Sequence, residues 1–224
     1  MKSKSKNYII ISSIIACIVL YFIEQVFVLS YLVKTLSKII LFIALPYIYI
    51  YFVNKSSVSK KIKINKKDLY IGVGLGVMCF IVLIVAYIIL KDIIDLNTIA
   101  NELQTKSKVS PSNFLFVAFY ITFVNSFLEE FFFRGFIFLN LFKLGFKKLA
   151  YIFSSALFAL YHISIFKNWF NPWLIGLSIF GLVSVGFIFN YIDTKSKNFI
   201  NSWIVHILAD AAIMLIGMRM FGMI

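Results

Sequence analysis

Two adjacent glutamates, Glu129 and Glu130, lie in an otherwise apolar stretch and are the strongest candidates for chemistry in this sequence. A charged side chain at the centre of a membrane-spanning helix costs about 2.5 to 3.5 kcal/mol on insertion scales. Arg134 follows Glu130 by four residues, which predicts an ion pair on one helix face. Glu129 is rotated about 100° from Glu130 on an α-helix and therefore faces other partners. The cluster is either a structural ion pair or part of an active site.

The two histidines of the chain also lie in apolar segments. His162 ends the run Phe158–His162, and His206 precedes Asp210 by four residues, so that His206 and Asp210 share a helix face. A single histidine in such a place is more often a hydrogen-bonded core residue. Ionisable groups in a bilayer, however, face the interior of a helix bundle and pair with one another. Together these segments offer a carboxylate base, imidazoles and a cation, which are the components of a hydrolytic site.

The segments that carry these residues are predicted to cross a membrane. The chain is 62% hydrophobic, whereas soluble domains are about 45–50% apolar. A transmembrane helix needs about 20 predominantly apolar residues. Seven segments qualify: Tyr8–Leu29, Ile39–Val53 (extended back to about Leu32), Leu69–Leu90, Asn113–Phe142, Leu149–Phe166, Pro172–Ile192 and Phe199–Met218. We predict an all-α, polytopic membrane helix bundle of about seven transmembrane helices, within a range of six to eight.

The net charge of +13 is better explained by membrane topology than by nucleic-acid binding. Fourteen basic residues lie before the first span and after the second, fourth and sixth. The opposite set holds seven: Lys34, Lys38, Lys91, Lys106, Lys108, Lys167 and Arg219. The positive-inside rule therefore predicts a multi-pass cell-membrane protein with a cytoplasmic N-terminus and an external C-terminus. A composition rich in lysine, isoleucine and phenylalanine, with two arginines, suggests an AT-rich bacterial genome.

Three motifs occur in order, each on its own apolar segment: Glu-Glu-x-x-x-Arg at 129–134, Phe-x-x-x-His at 158–162 and His-x-x-x-Asp at 206–210. This series resembles the CPBP family of intramembrane proteases, which includes CAAX prenyl endopeptidases and bacteriocin-processing, Abi-type proteins. The resemblance covers about half of the chain. It divides the chain into N-terminal transmembrane helices with a basic cytoplasmic loop, residues 1–112, and a catalytic transmembrane core, residues 113–218.

The resemblance implies a role for each motif residue. Glu129 resembles the general base that activates a water together with His162. Glu130 and Arg134 resemble the supporting ion pair of the same helix. His206 and Asp210 resemble the groups that stabilise the tetrahedral oxyanion or complete a metal site.

Asp210 departs from the commoner form of the family, in which asparagine occupies this position. An ionised aspartate accepts hydrogen bonds but cannot donate one to an oxyanion. If a metal is bound, zinc suits such nitrogen and oxygen ligands, and Glu129, His162, His206 and Asp210 would be the ligands. We favour a metal-free glutamate–histidine mechanism and commit to no cofactor.

The sequence therefore predicts an intramembrane endopeptidase that hydrolyses peptide bonds of membrane-associated peptides or proteins. Its substrate would be a prenylated C-terminal tail, a peptide pheromone or bacteriocin precursor, or a membrane-embedded segment. A bacterial setting favours peptide processing or self-immunity. The alternatives are a polytopic transporter that uses the same cluster as an ion path and a non-catalytic membrane scaffold. A transporter would predict inverted repeats, which the sequence does not display.

One distance in this prediction does not fit. At about 1.5 Å per residue, Glu129 lies about 21 Å from the end of its helix near Lys143, whereas His206 lies only about 10 Å from Phe199. The last helix must be displaced, tilted or begin earlier for the two side chains to meet.

Overall fold

The computed structural model describes residues 2–27, 29–54 and 66–224, and these ranges are helical with short connections and no β-strand. The helices are α1 (Lys2–Gln25), α2 (Tyr31–Ile48, continued by a π-helical stretch over Tyr49–Asn54), α3 (Lys66–Leu90), α4 (Leu96–Lys106), α5 (Phe114–Lys143), α6 (Lys147–Phe166), α7 (Pro172–Ser196) and α8 (Ile200–Met220). Within the described ranges, seven of these, all but the short α4, are long and apolar enough to cross a membrane. The predicted all-α, polytopic fold is confirmed.

Part of the predicted basic cytoplasmic loop lies outside the described residues, namely Lys55, Lys60, Lys61 and Lys63. The described chain resumes at Lys66, the first residue of α3. The direction in which the helices cross the membrane therefore stays a prediction from the distribution of charge.

Local sequence signals set several helix starts. The Ser30 hydroxyl accepts a hydrogen bond from the backbone N–H of Val33 at the start of α2. Asp95 caps α4 in the same way through Thr98. Asn171 caps α7, and Pro172 occupies its first turn, where a missing N–H costs nothing.

An aromatic core surrounds the second half of α5. Phe132 and Phe133 are fully buried, and the Phe132 ring stacks on Phe42 of α2 with ring centroids 4.1 Å apart. Phe133 packs edge-on against Phe158 of α6. These phenylalanines therefore fix α5 against α2 and α6 on the C-terminal side of the two glutamates.

Glycines allow close approach at two helix pairs that support the motif helices. Gly72 of α3 faces Asn201 of α8, and a Cβ at this glycine would lie 3.2 Å from Asn201 Oδ1. Gly186 of α7 faces Ser155 of α6, where an added Cβ would lie 3.0 Å from the Ser155 Cα. Helices α3 and α7 thus pack closely on α8 and α6, which carry the two histidines.

The beginning of α8 lies inside the protein. Phe199 and Ser202 are buried, and a Cβ at Gly135 of α5 would lie 3.2 Å from the Phe199 ring. Gly135 precedes Lys143 by eight residues, which is about 12 Å along a helix. Helix α8 is therefore displaced along α5 by about this distance, and the displacement brings His206 level with Glu129.

Candidate active site

The two glutamates occupy a short α-helical stretch of α5 between two π-helical ones. Residues Ser126–Glu130 are α-helical, whereas Tyr120–Asn125 and Phe131–Phe138 are π-helical. A π-helical turn shifts side chains around the helix axis, and such turns are frequent at functional sites. The indole N–H of Trp203 donates to the Ser126 hydroxyl at 3.1 Å and fixes α8 against this stretch.

Glu129 is buried, with 1% of its side chain exposed, and its two oxygens have different surroundings. Oε1 accepts a hydrogen bond from Asn125 Nδ2 at 2.9 Å and one from Lys38 Nζ at 3.3 Å. Oε2 lies 3.5 Å from His162 Nε2 and 3.9 Å from His206 Nε2. Within the described part of the chain, Oε2 accepts no hydrogen bond. One oxygen is therefore anchored, and the other faces both histidines.

His162 presents a defined nitrogen to Glu129. Its Nδ1 lies 2.8 Å from the carbonyl oxygen of Phe158 one turn earlier. A carbonyl oxygen only accepts, so Nδ1 carries the proton and the neutral ring has its lone pair on Nε2. The separation of 3.5 Å between Nε2 and Glu129 Oε2 is too long for a strong direct hydrogen bond. A single water can contact two such atoms.

Glu130 forms a separate and fully buried network. Its Oε1 accepts from Arg134 Nη1 at 3.1 Å, the ion pair predicted from the spacing, and from His206 Nδ1 at 2.8 Å. The Arg134 guanidinium lies between the rings of Phe158 and Phe189, at 3.9 and 4.9 Å from their centroids. This arrangement stabilises the cation by cation–π contact and holds His206 by its Nδ1–H.

Asp210 lies near His206 but does not form a hydrogen bond with it. Its Oδ1 is 3.7 Å from His206 Nε2, beyond hydrogen-bonding distance. The ring of His206 is therefore oriented by Glu130 of α5 rather than by the residue one turn further along α8. The carboxylate of Asp210 therefore interacts with His206 electrostatically, without a hydrogen bond.

Sequence reasoning missed Lys38 and Asn125, which both contact Glu129. Asn125 precedes Glu129 by one helical turn, and this spacing could have revealed it. The charge pattern counts Lys38 only among the seven basic residues of the opposite set, and it does not connect Lys38 with the site. Lys38 lies within α2, its side chain is 17% exposed, and its ammonium points at Glu129.

A further buried acid, Asp193, lies beyond the predicted end of the sixth span at Ile192. Helix α7 continues to Ser196, and Asp193 is fully buried. It accepts a hydrogen bond from Ser202 at 2.8 Å and is close enough to Arg134 to interact electrostatically. Sequence reasoning therefore missed this buried acid, which lies near the end of α7.

The residues do not form an evident metal site. Among the described residues, no group of three or more His, Cys, Asp and Glu side chains is arranged to hold a metal ion. The four residues considered as zinc ligands, Glu129, His162, His206 and Asp210, are close together. Nδ1 of each histidine donates within the protein, which leaves Nε2 of each ring free, as it is in histidines that bind a metal.

Helices long and apolar enough to span a membrane, with buried and paired ionisable groups between them, place the protein in the class of polytopic membrane proteins. Within this class, residues 111–212 match the family described as type II CAAX prenyl endopeptidase Rce1-like. This segment contains all three motifs, and the match supports the CPBP family of intramembrane proteases, which the motif order predicted. No curated protein and no solved structure significantly matches the chain. The Rce1-like domain supports a CAAX-type intramembrane endopeptidase in general.

Proposed function

We propose that the protein cleaves membrane-associated peptides or proteins with a water activated by Glu129 and His162. The observation that carries this proposal is the approach of Glu129 Oε2 to Nε2 of His162 at 3.5 Å and of His206 at 3.9 Å. The approach occurs inside a segment that matches a peptidase family. A buried carboxylate base beside two imidazoles provides the groups that general acid–base catalysis of hydrolysis requires.

The first step uses Glu129 as the base. A water between Glu129 Oε2 and His162 Nε2 gives one proton to the carboxylate and directs its other O–H to the imidazole lone pair. The water oxygen attacks the carbonyl carbon of the peptide and forms a tetrahedral intermediate with a negatively charged oxygen. The low dielectric of the buried site strengthens the interaction of this oxygen with any donor aimed at it.

His206 supplies the donor for the oxyanion. Its Nδ1–H is held by Glu130, so a protonated ring carries its second N–H at Nε2, which faces the site. The carboxylates of Glu130 and Asp210 both favour this charged ring. Asp210 thus supports the donor instead of donating itself, which accounts for an aspartate at the position where asparagine is common.

The second step returns the proton. The intermediate collapses, the C–N bond breaks, and the leaving nitrogen takes the proton that Glu129 received from water. The Glu129 carboxylate is regenerated, and the peptide is divided into a carboxylic acid and an amine. The acid then loses its proton to the amine, which gives a carboxylate and an ammonium group.

The substrate class that we propose is a membrane-associated peptide, either a prenylated C-terminal tail or a precursor of a bacteriocin or pheromone. The composition typical of an AT-rich bacterial genome favours the precursor, in processing or self-immunity. We further propose a cytoplasmic N-terminus, an external C-terminus and a catalytic core over residues 113–218, with residues 1–112 as its N-terminal partner.

The test is cleavage by purified protein in liposomes. Three fluorescent reporters are used: a farnesylated tail peptide, the same peptide without the farnesyl group, and a hydrophobic leader-peptide precursor. Glu129→Gln and His162→Ala should each lower kcat at least about 100-fold, as expected for loss of general acid–base groups. Glu24→Gln, at a partly exposed glutamate paired with Lys34, is the matched control and should keep wild-type activity. Unchanged cleavage by folded Glu129→Gln and His162→Ala proteins would contradict the mechanism.

A further inference from the structure

Lys38 reaches the site from a helix outside the matched segment. It lies on α2, whereas the family match begins at residue 111. Its Nζ donates to Asn125 Oδ1 at 2.6 Å and to Glu129 Oε1 at 3.3 Å, and it lies 5.2 Å from the centroid of the Tyr161 ring. The N-terminal helices therefore provide a charged group to the site of the C-terminal half.

Lys38 is the counter-charge of Glu129. Arg134, the arginine near the site, is bonded to Glu130 and lies over the rings of Phe158 and Phe189. Among the described residues, Lys38 is the lysine or arginine that forms an ion pair with Glu129. A buried carboxylate without a compensating cation is strongly unfavourable, so the Lys38 ammonium keeps Glu129 in the form that a base requires.

The contacts of Lys38 also determine which oxygen of Glu129 is free. Lys38, Asn125 and Glu129 form a closed triangle, because Asn125 accepts from Lys38 through Oδ1 and donates to Glu129 through Nδ2. Both donors act on Oε1, so Oε2 is directed at His162 and His206. A carboxylate held by two donors on one oxygen cannot rotate without breaking both hydrogen bonds.

We propose that Lys38 is a positioning residue for Glu129, and that the N-terminal helices complete the active site by supplying it. This inference rests on the proposed function, because it assigns Lys38 a role through the catalytic base. The segment 111–212 then lacks one component that the working site requires.

The test compares Lys38→Met, Lys38→Arg and Lys34→Met in the full-length protein in liposomes. Lys38→Met keeps the length of the side chain and removes its charge; it should lower kcat about 10- to 100-fold, within the range for loss of orientation at an active site. KM should change less than about twofold, because Lys38 acts on the base and not on substrate binding. Lys38→Arg restores a cation and should recover a large part of kcat.

Lys34→Met is the matched control, since Lys34 lies one turn earlier on α2. Its Nζ forms an ion pair with Glu24 Oε1 at 2.8 Å and does not contact Glu129. The variant should keep wild-type kcat, although its ion pair is lost. Thermal unfolding of each variant in detergent shows that the comparison is made between folded proteins.

The outcomes separate this inference from the proposed function. If Glu129→Gln is inactive but folded Lys38→Met has wild-type kcat, the positioning role is overturned and the mechanism stands. The role is likewise overturned if Lys38→Arg is no more active than Lys38→Met, or if Lys34→Met loses as much kcat. If Glu129→Gln and His162→Ala both remain active, the mechanism and the role of Lys38 fail together.

Discussion

Glu129 and Glu130 are neighbours in the sequence but lie in two regions of opposite character. Glu129 is surrounded by Lys38, Asn125 and His162, and the side chains of Lys38 and His162 are 17% and 16% exposed. Glu130 is bonded to Arg134 and His206, and neither Glu130 nor Arg134 has any exposed side-chain surface. The first region is bordered by partly exposed side chains, whereas the Glu130–Arg134 pair is closed off by protein.

This difference favours a chemical role for the Glu129 region and a supporting role for the Glu130 region. Oε2 of each glutamate accepts no hydrogen bond from the described residues, but Oε2 of Glu129 lies 3.5 and 3.9 Å from two imidazole nitrogens. In the Glu130 region the carboxylate is paired with Arg134, whose guanidinium lies over the rings of Phe158 and Phe189. The supporting region fixes the ring of His206, so that the reactive region has a partner with a defined orientation.

The two regions should differ most in how much a substitution of their glutamate lowers the free energy of unfolding. Glu130→Gln removes the carboxylate that is hydrogen-bonded to the buried Arg134 cation, which should lower the free energy of unfolding by about 3 to 5 kcal/mol. Glu129→Gln should lower it by no more than about 1.5 kcal/mol, because Lys38 is partly exposed and retains Asn125. Denaturation in detergent, followed by tryptophan fluorescence, measures both.

The double variant Glu130→Gln/Arg134→Met sharpens this comparison. It removes both charges of the buried pair, so it should be more stable than Glu130→Gln alone. Equal destabilisation by Glu129→Gln and Glu130→Gln would show that the two regions do not differ as described.

A smaller effect is expected at the boundary between the regions. Asp210→Asn should keep activity within about tenfold of wild type, since Asp210 acts on His206 over 3.7 Å without a hydrogen bond. Cleavage kinetics in liposomes measure the change, and Asp210→Leu, which removes all polarity, is the comparison. Loss of activity in Asp210→Asn as complete as in Glu129→Gln would place Asp210 among the groups that react.

The smallest expected effect is the change in cleavage activity when metal ions are removed. A mechanism carried by side chains predicts that treatment with a chelator changes cleavage less than about twofold, because the base acts directly on water. Elemental analysis of the purified protein should find zinc well below one equivalent. Activity that is lost with the chelator and restored by added zinc would instead assign the Glu129 region to a metal-dependent mechanism.

Much of the site was predictable because helical spacing is a local property. The i, i+4 relation placed Glu130 beside Arg134, and the structure has this ion pair at 3.1 Å. The rotation of about 100° per residue likewise predicted that Glu129 and Glu130 face different partners. The i, i+4 relation also applies to Asn125 and Glu129, although that pair was overlooked.

Contacts between helices were not predictable in the same way. Lys38 and Glu129 are 91 residues apart, and no spacing in the sequence connects them. The bond between His206 and Glu130 depends on how far α8 is displaced along α5, which is fixed by packing of Phe199 against Gly135. Sequence periodicity does not specify such a displacement, because it describes each helix separately.

The sequence by itself therefore determined the helices that can span a membrane, the family model that residues 111–212 match and the candidate site residues. Hydrophobicity and motif spacing are local properties of the sequence, so they can be recognised without knowledge of the fold. Only the tertiary structure decided that Oε1 of Glu129 is held by Lys38 and Asn125 and that His206 is held by Glu130. Those pairings arise from the depth and rotation at which packed helices meet, and these are properties of the assembled bundle.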